Sequence, residues 1–253
     1  MRTTGTALLL VTLVVGCEHK SKKDDNSPDK TVMGSASPTA KPPGDDMKPE
    51  PVAKDPNAAR PSGDEVRPPV AADLAEYTKD LTGTGPLTAT IETSMGAFHC
   101  ELLGDKAPLS VANFVGLATG KKAWMNPRTH SVEKGKPFFD GLTFHRVIPG
   151  FMIQGGDPLG NGMGGPGYEF AQEVNNGLTM TPGTLAMANA GPGTNGSQFF
   201  ITEGSPTQLN NGYNIFGLCK EPDLVKKIAA VPRNPSDKPD SPVTITKITF
   251  SKG

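Results

Sequence analysis

Ten of the 25 prolines in this 253-residue chain fall between Pro28 and Pro69, and that crowding limits which part of it can build a core. Around them stand Lys, Asp, Ser and Ala without hydrophobic periodicity. Such a stretch buries too little apolar area to offset the entropy lost on ordering. A folded domain must therefore come from the C-terminal two thirds. Residues 17–80 read as a disordered tether and 85–253 as the domain. At about 65 residues the tether has a relaxed span of ~45 Å and an extended limit of ~200 Å.

The N-terminus reads as a targeting segment over 1–16. Arg2 supplies the positive charge, and Ala7 to Val15 is an apolar run too short to span a bilayer. It ends in Leu13-Val14-Val15-Gly16-Cys17, a small residue directly before a cysteine. This resembles the lipobox of bacterial lipoproteins and implies that Cys17 carries the lipid. Several acyl chains anchor stably where one does not, at about 0.8 kcal/mol per buried CH₂. The expected location is the cell envelope, facing the periplasm. Glu18 after the cysteine favours the outer membrane over the inner.

Within the domain, Leu87 to Glu92 and Ala97 to Leu102 alternate like half-buried strands around a turn at Ser94-Met95-Gly96. Pro108 opens a helix whose Val111, Phe114, Val115 and Ala118 share a face, and Gly120 closes it. Strands are expected at 143–147, 151–155, 184–188, 198–203 and 214–219, a second helix from Glu221 to Ala230, and a closing strand from Val243 to Phe250. Lys121 to Lys136 reads as a solvated loop whose Trp124 packs back on the domain. Cys100 and Cys219 are expected as buried free thiols, with one disulfide as the alternative, because spacing alone does not show whether their Cβ atoms approach. No CxxC pair or histidine cluster calls for a metal. A net charge of −1 gives no field for nucleic acid.

The chemistry concentrates in Phe144-His145-Arg146-Val147-Ile148-Pro149-Gly150-Phe151-Met152-Ile153-Gln154-Gly155-Gly156-Asp157. Arginine keeps its proton in proteins, so Arg146 donates hydrogen bonds but is no base. Phe151 and Met152 suit an apolar slot, and the Gln154 amide both donates and accepts. That set fits binding and polarising a neutral peptide better than hydrolysing it. His145 reads as a packed strand histidine. Gly160 to Gly165 fits GxGxxG, but Pro166-Gly167 stands where a nucleotide-binding helix would start. Asn195-Gly196-Ser197 reads as a turn.

Together with Leu185-Ala186-Met187-Ala188-Asn189-Ala190-Gly191-Pro192-Gly193-Thr194-Asn195-Gly196-Ser197-Gln198-Phe199-Phe200, this segment closely resembles the cyclophilins, peptidyl-prolyl cis-trans isomerases of the cyclosporin-binding type. The likeness runs from about Leu87 to Phe250. It implies a mainly β fold, a closed eight-stranded antiparallel barrel capped by two α-helices, acting as a monomer without cofactor or metal. It also implies an activity: rotation of X-Pro bonds in proline-containing polypeptides, here exported ones. Carried over position by position, Arg146 donates to the prolyl nitrogen while Gln154 and Phe151 complete the catalytic set. Met152, Phe200, Leu209 and Tyr213 join Phe151 around the proline ring. Gly162, Ala188, Asn189, Ala190 and Gln198 shape the groove for the peptide. Two positions depart from the pattern. Gln208 stands where many members carry a tryptophan that hydrogen-bonds cyclosporin, which implies weak cyclosporin binding, and Tyr213 replaces a histidine. The competing reading is a peptide-binding chaperone or scaffold lipoprotein with little turnover.

Overall fold

The computed structural model describes residues 65–253, so the signal segment, Cys17 and most of the tether lie outside the described residues. The hairpin expected from the first alternation is present as β1 (Leu87–Thr93) and β2 (Gly96–Leu102), paired antiparallel around Ser94-Met95. Gly96 has φ +140, a conformation other residues rarely adopt. Then follow α2 (Pro108–Ala118), a two-residue pair β3 (Trp124–Met125) and β4 (Val132–Glu133), β5 (Arg146–Ile148) and β6 (Met152–Gly155). The chain completes β7 (Thr184–Met187), β8 (Phe199–Thr202), β9 (Ile215–Cys219), α3 (Pro222–Ala229) and β10 (Ile245–Lys252).

Eight strands form one antiparallel sheet in the order β10-β1-β2-β9-β7-β8-β6-β5. The sheet curls but does not close, which corrects the closed barrel expected from the resemblance. Its terminal strands β5 and β10 do not pair. The approaches to them meet instead, through an isolated bridge between Thr143 and Thr244 and a bond from Phe144 N–H to the Val243 carbonyl. The cause is local: β5 is only three residues long, and Pro232, Pro235, Pro239 and Pro242 interrupt the run into β10 with residues that cannot donate to a ladder.

A third helix, α1 (Ala72–Thr78), lies in sequence that reads as tether. It forms because Asp73 closes a turn by accepting from the Val70 N–H, while Arg67 holds the same carboxylate through two bonds of 2.7 and 2.8 Å. Leu74 and Tyr77 then pack where glycines leave room. A Cβ on Gly104 would meet Leu74 at 2.8 Å, and one on Gly116 would meet Tyr77 at 2.5 Å.

The core gathers around α2, whose residues from Ser110 to Ala118 are all buried. Phe114 sits 5.2 Å from Phe139, 5.5 Å from Phe199 and 5.3 Å from Phe216, in tilted and edge-on contacts. Removing such a ring costs about 3–5 kcal/mol. The first N–H groups of α2 are capped from far along the chain: the Glu173 carboxylate accepts from Leu109 and Ser110 at 2.7 and 2.8 Å. Trp124 is buried edge-on against Phe138, with ring centroids 4.7 Å apart.

Cys100 and Cys219 are direct partners across β2 and β9 and are joined by a disulfide, not held as free thiols. The register that brings them together depends on β2 lying beside β9, a long-range neighbour that 119 residues of separation could not reveal.

Candidate active site

Strands β5 to β9 sort their side chains with period two onto opposite faces. One row runs Val147, Ile153, Ile201, Leu185 and Gly217 through successive cross-strand pairs, and its apolar members belong to the phenylalanine core. The adjacent row runs Arg146, Gln154, Phe200, Ala186 and Ile215. Direct partners share a face, so the guanidinium, the amide and the benzyl ring emerge side by side on the face turned away from the core.

A second apolar cluster stands on that face. It comprises Met152, Met180, Ala186, Phe200 and Ile215, flanked by partly buried Ile148, Phe151, Leu178, Ala188, Leu209 and Tyr213. Tyr213 stands edge-on to Phe200 with centroids 5.6 Å apart. Phe151 comes from a tight turn at Pro149-Gly150, whose Gly150 N–H donates to the Glu203 carboxylate at 2.7 Å. Leu209 ends a single 3₁₀ turn, Thr207–Leu209, on which Gln208 is exposed.

Beside the cluster lies a groove of about 620 Å³, which Ala188 shares with it. Gln154, Gly162, Asn189, Ala190 and Gln198 line it too. Gln154 donates to Gln198 at 2.9 Å, and the Gln198 amide donates to the carbonyls of Gly162 and Gly164 at 3.0 and 2.9 Å. A primary amide has two N–H bonds, so Gln154 keeps one to give. The Asn189 side chain is spent internally, donating to the Gly212 carbonyl at 3.1 Å and accepting from Gly191 N–H at 3.2 Å. The structure thus divides the sequence-derived residues between an apolar slot (Phe151, Met152, Phe200, Leu209, Tyr213) and a polar groove, with Arg146 next to Gln154 in the shared row.

Several neighbours escaped the sequence reading. The Asp157 carboxylate, buried, accepts from the N–H groups of Leu159, Asn161 and Gly162 and so shapes the groove loop. Asp237 stands 4.0 Å from the Arg146 Nε and accepts from Arg233 at 3.2 Å. Met125 and Pro127, from the loop read as solvated, form part of the groove wall, as does Tyr168. Asp157 closes the motif that begins at Phe144, and its place just ahead of the glycine-rich run from Gly160 was the available signal; the others carry none. His145 is buried, neither ring nitrogen has a protein partner, and burial pushes its pKa below the usual value. That is the environment of a neutral packed ring rather than of a base. Among the described residues no group of three His, Cys, Asp or Glu side chains is placed to hold a metal ion.

Comparison with known proteins decides the family. Residues 88–250 match the family model described as cyclophilin type peptidyl-prolyl cis-trans isomerase/CLD. The chain belongs to the cyclophilins. It is 50% identical to peptidyl-prolyl cis-trans isomerase A of Mycobacterium tuberculosis over 184 residues, covering 71% of this chain and all of that protein. It is 50% identical to peptidyl-prolyl cis-trans isomerase B of Streptomyces anulatus over 167 residues, covering 64% and 95% of the two chains. Among solved structures, a Cryptosporidium parvum cyclophilin crystallised in the presence of the dipeptide Ala-Pro superposes with a TM-score of 0.57 at 33% identity, covering 66% of this chain and 99% of that one. This cyclophilin is accordingly a peptidyl-prolyl cis-trans isomerase.

Proposed function

We propose that the protein rotates X-Pro bonds by donating a hydrogen bond from Arg146 to the prolyl nitrogen while the ring sits among Phe151, Met152, Phe200, Leu209 and Tyr213. The observation that carries this reading is the cross-strand row, in which Arg146, Gln154 and Phe200 are consecutive partners. Amide resonance sets a barrier of about 18–20 kcal/mol, which corresponds to roughly 0.01 per second at the upper value. In the twisted state the nitrogen regains its lone pair and accepts a hydrogen bond that neither planar isomer can accept. A donor placed there stabilises the transition state selectively. Lowering the barrier by about 7 kcal/mol accelerates rotation roughly 10⁵-fold.

The slot supplies orientation. Burying a proline ring contributes only a few kcal/mol, which suits a catalyst that must release many sequences. The spare N–H of Gln154 steadies the carbonyl that swings, and the internally tied Asn189 leaves its main chain to the peptide. Gly162, Ala188, Ala190 and Gln198 border the flanking residues. Exposed Gln208 offers no indole donor, so cyclosporin binds weakly.

The substrates we infer are exported polypeptides, and the enzyme works as a monomer tethered to the cell envelope through lipid on Cys17, facing the periplasm. Fatty-acid labelling tests the anchor: label should vanish in Cys17→Ser, and label retained there overturns it. An NMR exchange assay on a short proline peptide tests the activity. Turnover undiminished in Arg146→Ala would remove the donor mechanism, whereas negligible turnover in the unsubstituted protein with the peptide still bound would favour the peptide-holding alternative.

A further inference from the structure

Lys122 is a lysine buried to 1% exposure, and nothing in the isomerase chemistry uses it. Its ammonium donates to the Arg67 carbonyl at 2.7 Å and lies 4.5 Å from the centroid of the Tyr168 ring. The Tyr168 hydroxyl donates to Asn113 Oδ1 at 2.6 Å, and the Asn113 amide donates to the Gly196 carbonyl at 2.8 Å. Tyr168 and Gly196 both line the groove. An unbroken set of contacts therefore runs from the chain ahead of α1, where residues 1–64 join the domain, to the wall that faces the peptide.

The first contact is fixed by Arg67 and Asp73, whose paired bonds hold the carbonyl that accepts from Lys122. The second is a cation over an aromatic face, an attraction that strengthens when both partners are shielded from water. The groups facing the Lys122 ammonium are Arg67 ahead of α1, Asp73 within α1 and Tyr168 of the groove loop, and Tyr168 in turn interacts with Tyr77 of α1. Burial lowers the Lys122 pKa to about 8, while it pushes Tyr77 up to about 12 and raises Tyr168 well above the ordinary phenol value. Lys122 is thus the member of this cluster that changes charge near neutrality.

We propose that Lys122, held by the Arg67–Asp73 segment, positions Tyr168 and Gly196 and thereby sets how tightly the groove grips residues flanking the proline. Lys122 touches no substrate and acts through Tyr168, as a positioning residue. The proposal rests on the groove being the peptide site. It gives the N-terminal segment a part in substrate selection beyond attaching the domain.

The test uses the purified chain with two peptides, a short one centred on Ala-Pro and a longer one extended on both sides, with affinity and turnover read by NMR exchange. In Lys122→Met the longer peptide should bind about fivefold more weakly with turnover at saturation within about twofold, while the short peptide is unchanged. In the unsubstituted protein the long-to-short affinity ratio should fall as pH rises from 7 to 9, and in Lys122→Met it should stay flat. Equal effects on both peptides, or a pH-independent ratio in the unsubstituted protein, overturn the proposal. Should Lys122→Met fail to fold, Asp73→Asn decides: a selective loss for the long peptide supports the coupling and an unchanged ratio refutes it. Absence of turnover in the unsubstituted protein would count against the isomerase reading alone, since the affinities still report on the groove.

Discussion

Cys100 and Cys219 face each other across β2 and β9, buried and covalently joined, and their bond closes a loop with a sequence separation of 119 residues. Cross-linking so long a loop removes conformational freedom chiefly from the unfolded chain, typically stabilising by about 2–5 kcal/mol. The double variant Cys100→Ser/Cys219→Ser should melt roughly 5–15 °C lower. Calorimetry with and without reductant checks it, and a transition indifferent to both treatments would contradict the pairing.

Arg146 carries the second expectation. Arg146→Ala should lower turnover more than tenfold while peptide affinity stays within several-fold, because in the proposed mechanism the guanidinium bonds the twisted nitrogen and not the planar one. Since arginine does not titrate in this range, the rate for a short peptide should be level from about pH 7 to 9. A rate following a group of neutral pKa would point to a base.

Lys122 predicts an unusual alkaline limb of stability. Its folded pKa, about 8, lies below the ordinary 10.5, so the unfolded chain binds the proton more tightly. Stability should therefore rise by about 1–3 kcal/mol as pH goes from 8 towards 10. Above that, Tyr77 and Tyr168 reverse the trend, since burial raises both phenols and the unfolded chain ionises first. Urea unfolding across pH 7–11 should show the rise, and Lys122→Met should abolish it while keeping the fall.

His145 acts at the other end. Burial lowers its pKa from 6.5, so protonation favours the unfolded chain. Stability should decline as pH falls through about 6.5 and below, and His145→Phe should flatten that segment of the unfolding curve. An unchanged acid limb would show that the ring is not the group responsible.

Asp157→Ala should damage the groove without touching the slot. It strips three N–H groups of their acceptor, each costing about 1–3 kcal/mol where water cannot substitute. Weaker binding of long peptides together with a lower melting point is expected; a variant unaltered in both would mean the loop holds its shape unaided.

The parts legible in the sequence were those that local pattern determines. Alternation from Leu87 to Leu102 marked the first hairpin, and one motif held Arg146, Phe151, Met152 and Gln154 close enough for strand geometry to align them. What stayed hidden depended on partners far along the chain. The disulfide needs β2 beside β9, and the helix at Ala72–Thr78 needs Arg67, Asp73 and two glycines on the surface that receives it. The open seam was hidden too, because prolines ahead of Val243 act on pairing with Thr143 and Phe144, about a hundred residues earlier. Met125 and Tyr168 enter the groove through a short hairpin and a glycine-rich turn that carry no chemical signature of their own.

The alternation along β6 ties catalysis to folding. Ile153 points into the phenylalanine core while Met152 and Gln154 point to the slot and groove. Inserting or deleting a single residue there would exchange the two sets, driving an amide inward and an isoleucine outward. Length variation in this strand is therefore barred twice over, and any tinkering with substrate preference must come from swapping side chains or from the loops at its ends.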